Sequence, residues 1–332
     1  MSTFNRHPRR AVRGASGALA LLALVIAGCG GSGGTDAGTT PGTTSSDFTA
    51  AALSLYSAVP DPTICRAGTL SAAEKSSALA TVNAIRAAHG LAAVGYDTAG
   101  DNEVMQISLM SAVNGTLNHA PPTTWGCYTA AGASGAASSN LYLGGPSPYL
   151  TLTPSASILS GWLADVGVEA TLGHRRWLLD PFLKQIAFGR VDTESASGSR
   201  ATAAAIKVIY ANDGAGPVTP DYVAYPVGDY KVAYFQGNPV LSFTVIADKS
   251  SRYGNGSGVV DFASATVSVV PQGGSALSIS AQAANYEGYG VPNVLRFRAS
   301  GLQTGVTHDV TVANVRVNGV ARSYRYTFRL VN

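Results

Sequence analysis

Leu172-Gly173-His174-Arg175-Arg176-Trp177-Leu178-Leu179-Asp180-Pro181, followed at once by Ile186-Ala187-Phe188-Gly189, is the stretch on which the reading of this chain turns. A histidine directly after glycine stands at the mouth of an aromatic and aliphatic run that leads into a Gly-punctuated strand. This places a titratable, metal-capable imidazole beside a core element, and makes His174 the leading candidate for a site. Trp177 in the run, like Trp162 before it, reads as core.

Working outward, residues 48–216 read as mixed helix and strand. Ser71 and Glu74 have capping-box spacing, Leu79, Val82 and Ile85 form a helical stripe with Asn83 and Arg86 between them, and Gly90 suits the residue after a helix end. This predicts a helix over 72–89. Asp101 or Asn102 is read as the cap of a second helix with Met105, Leu109 and Ala112 on one stripe, running toward His119. Thr153-Pro154 signals a third, with Leu159, Trp162 and Leu163 apolar. Strands are expected at 185–191 and 202–210. Helices followed by short strands imply an α+β or layered arrangement.

The texture changes at about 217, where Pro217, Pro220 and Pro226 mark a boundary. Short runs of apolar alternation follow, at 240–246, 265–270, 294–297, 309–315 and 322–330. Gly254-Asn255-Gly256 and Asn318-Gly319 read as turns between such runs, the latter a strong hairpin signal. Residues 217–332 are therefore expected to form an all-β sandwich of immunoglobulin-like type, folding independently of 48–216. His308, alone in a polar turn region, reads as a surface residue.

The N-terminus carries an address. Arg6, Arg9, Arg10 and Arg13 stand without an acid before an apolar run from Ala18 to Ala27. That run is shorter than the roughly 20 residues needed to span a bilayer, so residues 1–28 read as a secretory signal. Ile26-Ala27-Gly28-Cys29 resembles a bacterial lipobox. The resemblance implies cleavage before Cys29, lipidation of its thiol, and a protein held at the membrane of the bacterial cell envelope by acyl chains on the extracytoplasmic side. The resemblance to sorted lipoproteins implies, with Gly30 rather than aspartate after the cysteine, an outer-membrane or cell-surface destination. Residues 29–47, nearly all Gly, Ser and Thr, read as a flexible tether. With Cys29 lipidated, Cys65 and Cys127 remain as a pair in an oxidising compartment and are expected to form a disulfide; two buried thiols are the alternative.

The net charge of +3 belongs partly to the signal, whose removal leaves 18 basic against 19 acidic residues. No basic stripe survives, so nucleic acid is not an expected partner. With 12% charged and 46% hydrophobic residues the composition is that of a globular chain, not a disordered one. The Gly-x-Ser-x-Gly match at residues 30–34 lies in the tether with no strand or helix about it, and no His-Glu-x-x-His run occurs.

Four further motifs accompany the Gly-His run in order: Val82-Asn83-Ala84-Ile85-Arg86 with Gly90-Leu91 and Tyr96-Asp97; Leu117-Asn118-His119; Ser138-Ser139-Asn140-Leu141; and Trp162-Leu163-Ala164-Asp165. Together they resemble the CAP superfamily of cysteine-rich secretory, antigen 5 and pathogenesis-related proteins over roughly 71–210. The resemblance implies an α-β-α sandwich with a cleft holding two histidines and two acids. Carried over, it puts His119 and His174 at the histidine positions, Asp165 at one acid position and Ser139 at the other. A hydroxyl there can hydrogen-bond an imidazole but supplies no charge; Glu169 is the candidate to compensate.

The fold expected is thus α+β, an α-β-α sandwich followed by an all-β sandwich. The expected role is binding of a lipid, peptide or cell-wall ligand in the cleft of an envelope-anchored protein. Two alternatives stand beside it. One is a hydrolase using zinc held by His119 and His174, which can equally be hydrogen-bonded structural residues. The other is a structural or adhesive role for the β-sandwich.

Overall fold

A computed structural model describes residues 45–332, leaving out Asn212 and Asn238. The signal at 1–28, Cys29 and most of the tether lie outside the described residues. Residues 45–47, assigned to the tether by composition, already belong to the first helix, α1 (Ser45–Leu53). A short antiparallel pair follows, β1 (Tyr56–Ala58) with β2 (Thr69–Leu70). Next come α2 (Ala72–Ala88), β3 (Gly95–Tyr96), α3 (Asp101–Asn114), α4 (Ala130–Ser138), β4 (Ser139–Ser147), α5 (Ser155–Ala164), α6 (Gly173–Leu178), β5 (Gln185–Glu194) and β6 (Arg200–Lys207).

Helix α2 begins as its sequence specifies, the Ser71 hydroxyl accepting from the Glu74 amide at 3.2 Å. Two other caps differ from the expectation. Asp101 lies inside α3, whose cap is Gly100, because its carboxylate is taken by Lys75 and the Tyr96 hydroxyl. Thr153 is displaced as a cap by Pro154, and its carbonyl accepts from Arg190 instead.

The sheet runs β3-β5-β6-β4. Alternation along its strands feeds two layers. Ala187 and Ala205 face Val104, Ile107 and Met110 of α3 and Ala136 of α4. Ile186, Phe188, Ala204 and Ile206 face the other way, into the core that holds α2, α5 and α6. This is an α-β-α sandwich. The α3 layer comes close because Gly189 has no side chain: a β-carbon there would stand 2.7 Å from the Val104 carbonyl carbon. Arg86, which the helical pattern leaves on a polar flank, is buried. Its guanidinium donates to the carbonyls of Ala92, Leu178 and Asp180, tying α2 to the turn after α6.

Beyond 217 the regular elements among the described residues are strands and short helical turns: β7 (Tyr222–Tyr225), β8 (Gly228–Lys231), β9 (Leu241–Val245), β10 (Val260–Asp261), β11 (Thr266–Pro271), β12 (Ile279–Asn285), β13 (Val294–Ala299), β14 (Thr307–Val317) and β15 (Val320–Val331). One sheet has the order β12-β13-β9-β7. The other runs β10-β14-β15-β8, with β11 also on β14 and β8 parallel to β15. They pack as a sandwich through aromatic rings, Phe243 lying 5.2 Å from Tyr324 and 6.1 Å from Tyr326. Asn318-Gly319 makes the β14–β15 hairpin with both residues at positive φ, as a tight two-residue turn requires.

Two readings of this segment are corrected. His308 is buried on β14, its ring stacked 4.8 Å from Phe328, because its strand position faces the sandwich interior. Asn255 is no open turn residue but fully buried, its amide bridging the backbone from Ala247 to Arg252.

Residues on both sides of 217 share one hydrophobic core and one compact unit. Polar side chains cross between them. The buried Arg175 guanidinium donates to the Leu163 and Ala164 carbonyls of α5 and to the Val240 carbonyl and Ser242 hydroxyl of the sandwich. His89 joins the end of α2 to the Ala224 carbonyl at 2.8 Å and the Tyr230 hydroxyl at 3.0 Å.

Candidate functional site

An open cleft of about 480 Å³ brings together His119, Ser139, Asn140 and His174, with Trp177 and Tyr289 among its walls. His119 comes from the loop four residues past the left-handed Gly115 that ends α3. Ser139 sits where α4 passes into β4, and His174 lies in the first turn of α6.

Each imidazole is held by one nitrogen. Nδ1 of His119 lies 2.7 Å from the Ala136 carbonyl. Nδ1 of His174 lies 2.8 Å from Oδ1 of Asp165. A carbonyl and a carboxylate only accept, so both Nδ1 atoms carry a proton, and in its neutral form each ring keeps a lone pair on Nε2. Among the described residues neither Nε2 has a hydrogen-bond partner.

Asp165 ends α5 in the left-handed conformation that Asp tolerates. It is buried, and its second oxygen accepts from the Arg175 amide at 3.2 Å. It orients His174 from behind and does not line the cleft. Asn140 steadies the same turn by donating to the His174 carbonyl. The Ser139 hydroxyl is buried with no partner among the described residues. Glu169 does not take up the missing acid's place: it pairs with Arg298 of β13 at 3.2 Å.

These donors do not suit a zinc ion. Two histidines line the cleft and the acid corner is a serine, whereas catalytic zinc ordinarily has three protein ligands. Among the described residues no group of three or more His, Cys, Asp or Glu gathers to hold a metal. The zinc expectation for His119 and His174 therefore meets an incomplete ligand set.

A second cleft, of about 460 Å³, lies beside the disulfide near Arg66 and Lys75. It contains no histidine, and its Lys75 is paired with Asp101. The Cys65–Cys127 disulfide itself is formed as the cysteine count implied, its partners 62 residues apart.

A sheet between two helical layers, with paired histidines in a cleft and an aspartate behind one of them, defines the class of this domain. Residues 79–210 match the cysteine-rich secretory protein family, CAP, so this part of the chain is a CAP domain. No curated protein matches the chain.

Asn83 and Arg86, prominent among the motifs, prove to be structural. The Asn83 amide clasps the Val94 backbone in both directions. Tyr289 went unread in the sequence, and Asn140 and Arg176 stood in quoted motifs without a role assigned to them. The available signals were a pair of arginines inside an apolar run, and a tyrosine between glycines in Glu287-Gly288-Tyr289-Gly290.

Proposed function

We propose that this is an extracytoplasmic CAP protein, acylated at Cys29 and held at the bacterial cell envelope, whose cleft between His119 and His174 binds a lipid, peptide or cell-wall component. The observation that carries the reading is the pair of imidazoles fixed through Nδ1, neither Nε2 hydrogen-bonded among the described residues, both rings lining an open, largely apolar cleft. Sites for small molecules commonly combine apolar walls with a few placed polar groups. The lipobox-like Ile26-Ala27-Gly28-Cys29 supports the anchor.

Histidine-ring NMR of the mature chain tests the binding, with a phospholipid, a short peptide and a muropeptide added in turn. At least one should shift both His119 and His174 and raise the melting temperature; unmoved rings with all three would end the proposal. The anchor is tested by Cys29→Ala, which should release the protein from membranes and leave residues 1–28 uncleaved. Wild-type retention after a carbonate wash would refute it.

A further inference from the structure

Gly288 and Tyr289 line the cleft from outside the matched family residues, on the loop joining β12 to β13 in the C-terminal sandwich. Arg176 fixes this loop. Its buried guanidinium donates to Oδ1 of Asn285 at 2.7 Å and to the carbonyls of Glu287 and Val291, and its central carbon lies 5.7 Å from the Tyr289 ring. Gly290 has φ +63°, and a β-carbon there would stand 2.7 Å from the Arg176 carbonyl oxygen, so the loop closes on α6 by direct backbone contact. On the cleft side, a β-carbon on Gly173 would come within 3.2 Å of the Tyr289 ring. The ring therefore rests on the glycine preceding His174 while staying 38% exposed.

The polar groups beside it select a chemistry. In their neutral form both imidazoles offer an acceptor nitrogen, and Ser139 has a hydroxyl without a partner among the described residues. No lysine or arginine is among the described residues lining the cleft, and neither is any acid. A carboxylate or phosphate entering would lose hydration without meeting a cation. A hydroxyl can donate to Nε2, and an apolar or C–H-rich face can lie against Tyr289.

We infer that Tyr289, positioned by Arg176, is the specificity-determining residue of the cleft, and that with the Nε2 atoms of His119 and His174 it selects a neutral hydroxyl-bearing ligand with an apolar face over an anionic one. The inference rests on the reading of the cleft as a binding site. The ligand chemistry has two sources, a sugar ring or a lipid alcohol.

The test uses the full mature chain at pH 8, where imidazole is ordinarily neutral. Calorimetry and histidine-ring NMR are run with chitotriose, decanol and decanoate. At least one neutral probe should bind about tenfold or more tightly than decanoate and shift both rings; which one does so identifies the source. Tyr289→Ala should weaken that probe about tenfold, the order expected for losing an aromatic contact face, and Tyr289→Phe should retain it within about twofold. An unchanged melting temperature in both variants confirms that the fold is intact. Decanoate binding as tightly as either neutral probe, or a Tyr289→Ala chain binding like wild type, overturns the inference and leaves the cleft a binding site. If no probe shifts either ring, the inference is overturned, and the proposed function is then decided by its own three ligands.

Discussion

The guanidinium carbon of Arg175 lies 3.8 Å above the Tyr225 ring, joining α6 of the CAP domain to the first strand of the sandwich. Burial holds this arginine below its usual pKa, and its guanidinium pairs with no carboxylate among the described residues; carbonyls, a hydroxyl and an aromatic face satisfy it. Arg175→Ala would leave several buried acceptors unpaired, at about 1–3 kcal/mol each. The variant should lose about 3 kcal/mol or more in urea denaturation. A loss under about 1 kcal/mol would show that this contact is not what holds the two segments together.

The same contacts bear on cutting the chain. A composition break at Pro217 suggests that residues 48–216 fold alone, yet those residues bury Val82, Trp162 and Leu178 in a core shared with Tyr225, Leu241 and Phe243. The isolated fragment should therefore melt well below the full chain and bind a hydrophobic dye. Equal melting temperatures would mean that the shared core adds nothing to the CAP layers.

His89 makes the junction sensitive to acid. Burial pushes its pKa down to about 4, opposed by the hydrogen bond to the Ala224 carbonyl and helped by the positive charges of Arg175 and Arg86. An unfolded chain protonates this histidine below about 6.5, the folded one only near 4, so the unfolded state binds the extra proton between those values. Stability should fall as pH drops from about 6.5 toward 4 and level off below, by roughly 3 kcal/mol from this residue. Equilibrium unfolding of wild type and His89→Gln across that range measures it; parallel curves would remove His89 as the cause.

The CAP layers were legible because their information is local. Ser71 with Glu74 starts α2, the apolar stripe of that helix points inward, and the Gly-His run marks the site, although the short helix α6 that it forms is not among the helices its pattern predicts. The cross-chain contacts were not legible, because charge normally signals exposure. Arg86, Arg175 and Arg176 are buried on backbone carbonyls that no spacing rule identifies. His308 looked exposed for the same reason, although Val310 and Val312 beside it continue the inward face of its strand. Tyr289 was hidden differently: 115 residues beyond His174, it joins the site only because Arg176 holds a loop from another layer. Ser139 was visible as a departure from the family pattern, but its buried, unpartnered hydroxyl was not.

The disulfide closes a loop over a sequence separation of 62 residues. By the chain-entropy relation such a bridge stabilises the fold by about 4 kcal/mol through the unfolded state. Replacing both Cys65 and Cys127 by serine should lower the unfolding midpoint accordingly while leaving His119 and His174 ring signals in place. Shifted ring signals in a still-folded variant would mean that the bridge also shapes the cleft.

Asp165 sets the protonation pattern of His174, which gives the last prediction a spectroscopic reading. In the wild type its two oxygens accept from the His174 ring and the Arg175 amide. Asp165→Asn keeps the shape but leaves one acceptor for two donors. If the amide oxygen stays with Arg175, the new NH₂ faces Nδ1 and favours the tautomer protonated on Nε2. If it stays with His174, a buried N–H is left unpaired, costing about 1–3 kcal/mol. Long-range ¹⁵N–¹H spectra should show His174 protonated on Nδ1 in the wild type and moved partly to Nε2 in the variant. His119, held by the Ala136 carbonyl, serves as the unaltered internal reference. A lone pair turned into a donor should also weaken binding of a hydroxyl-bearing ligand. Unchanged His174 spectra together with unchanged stability would show that the aspartate does not orient the ring in solution.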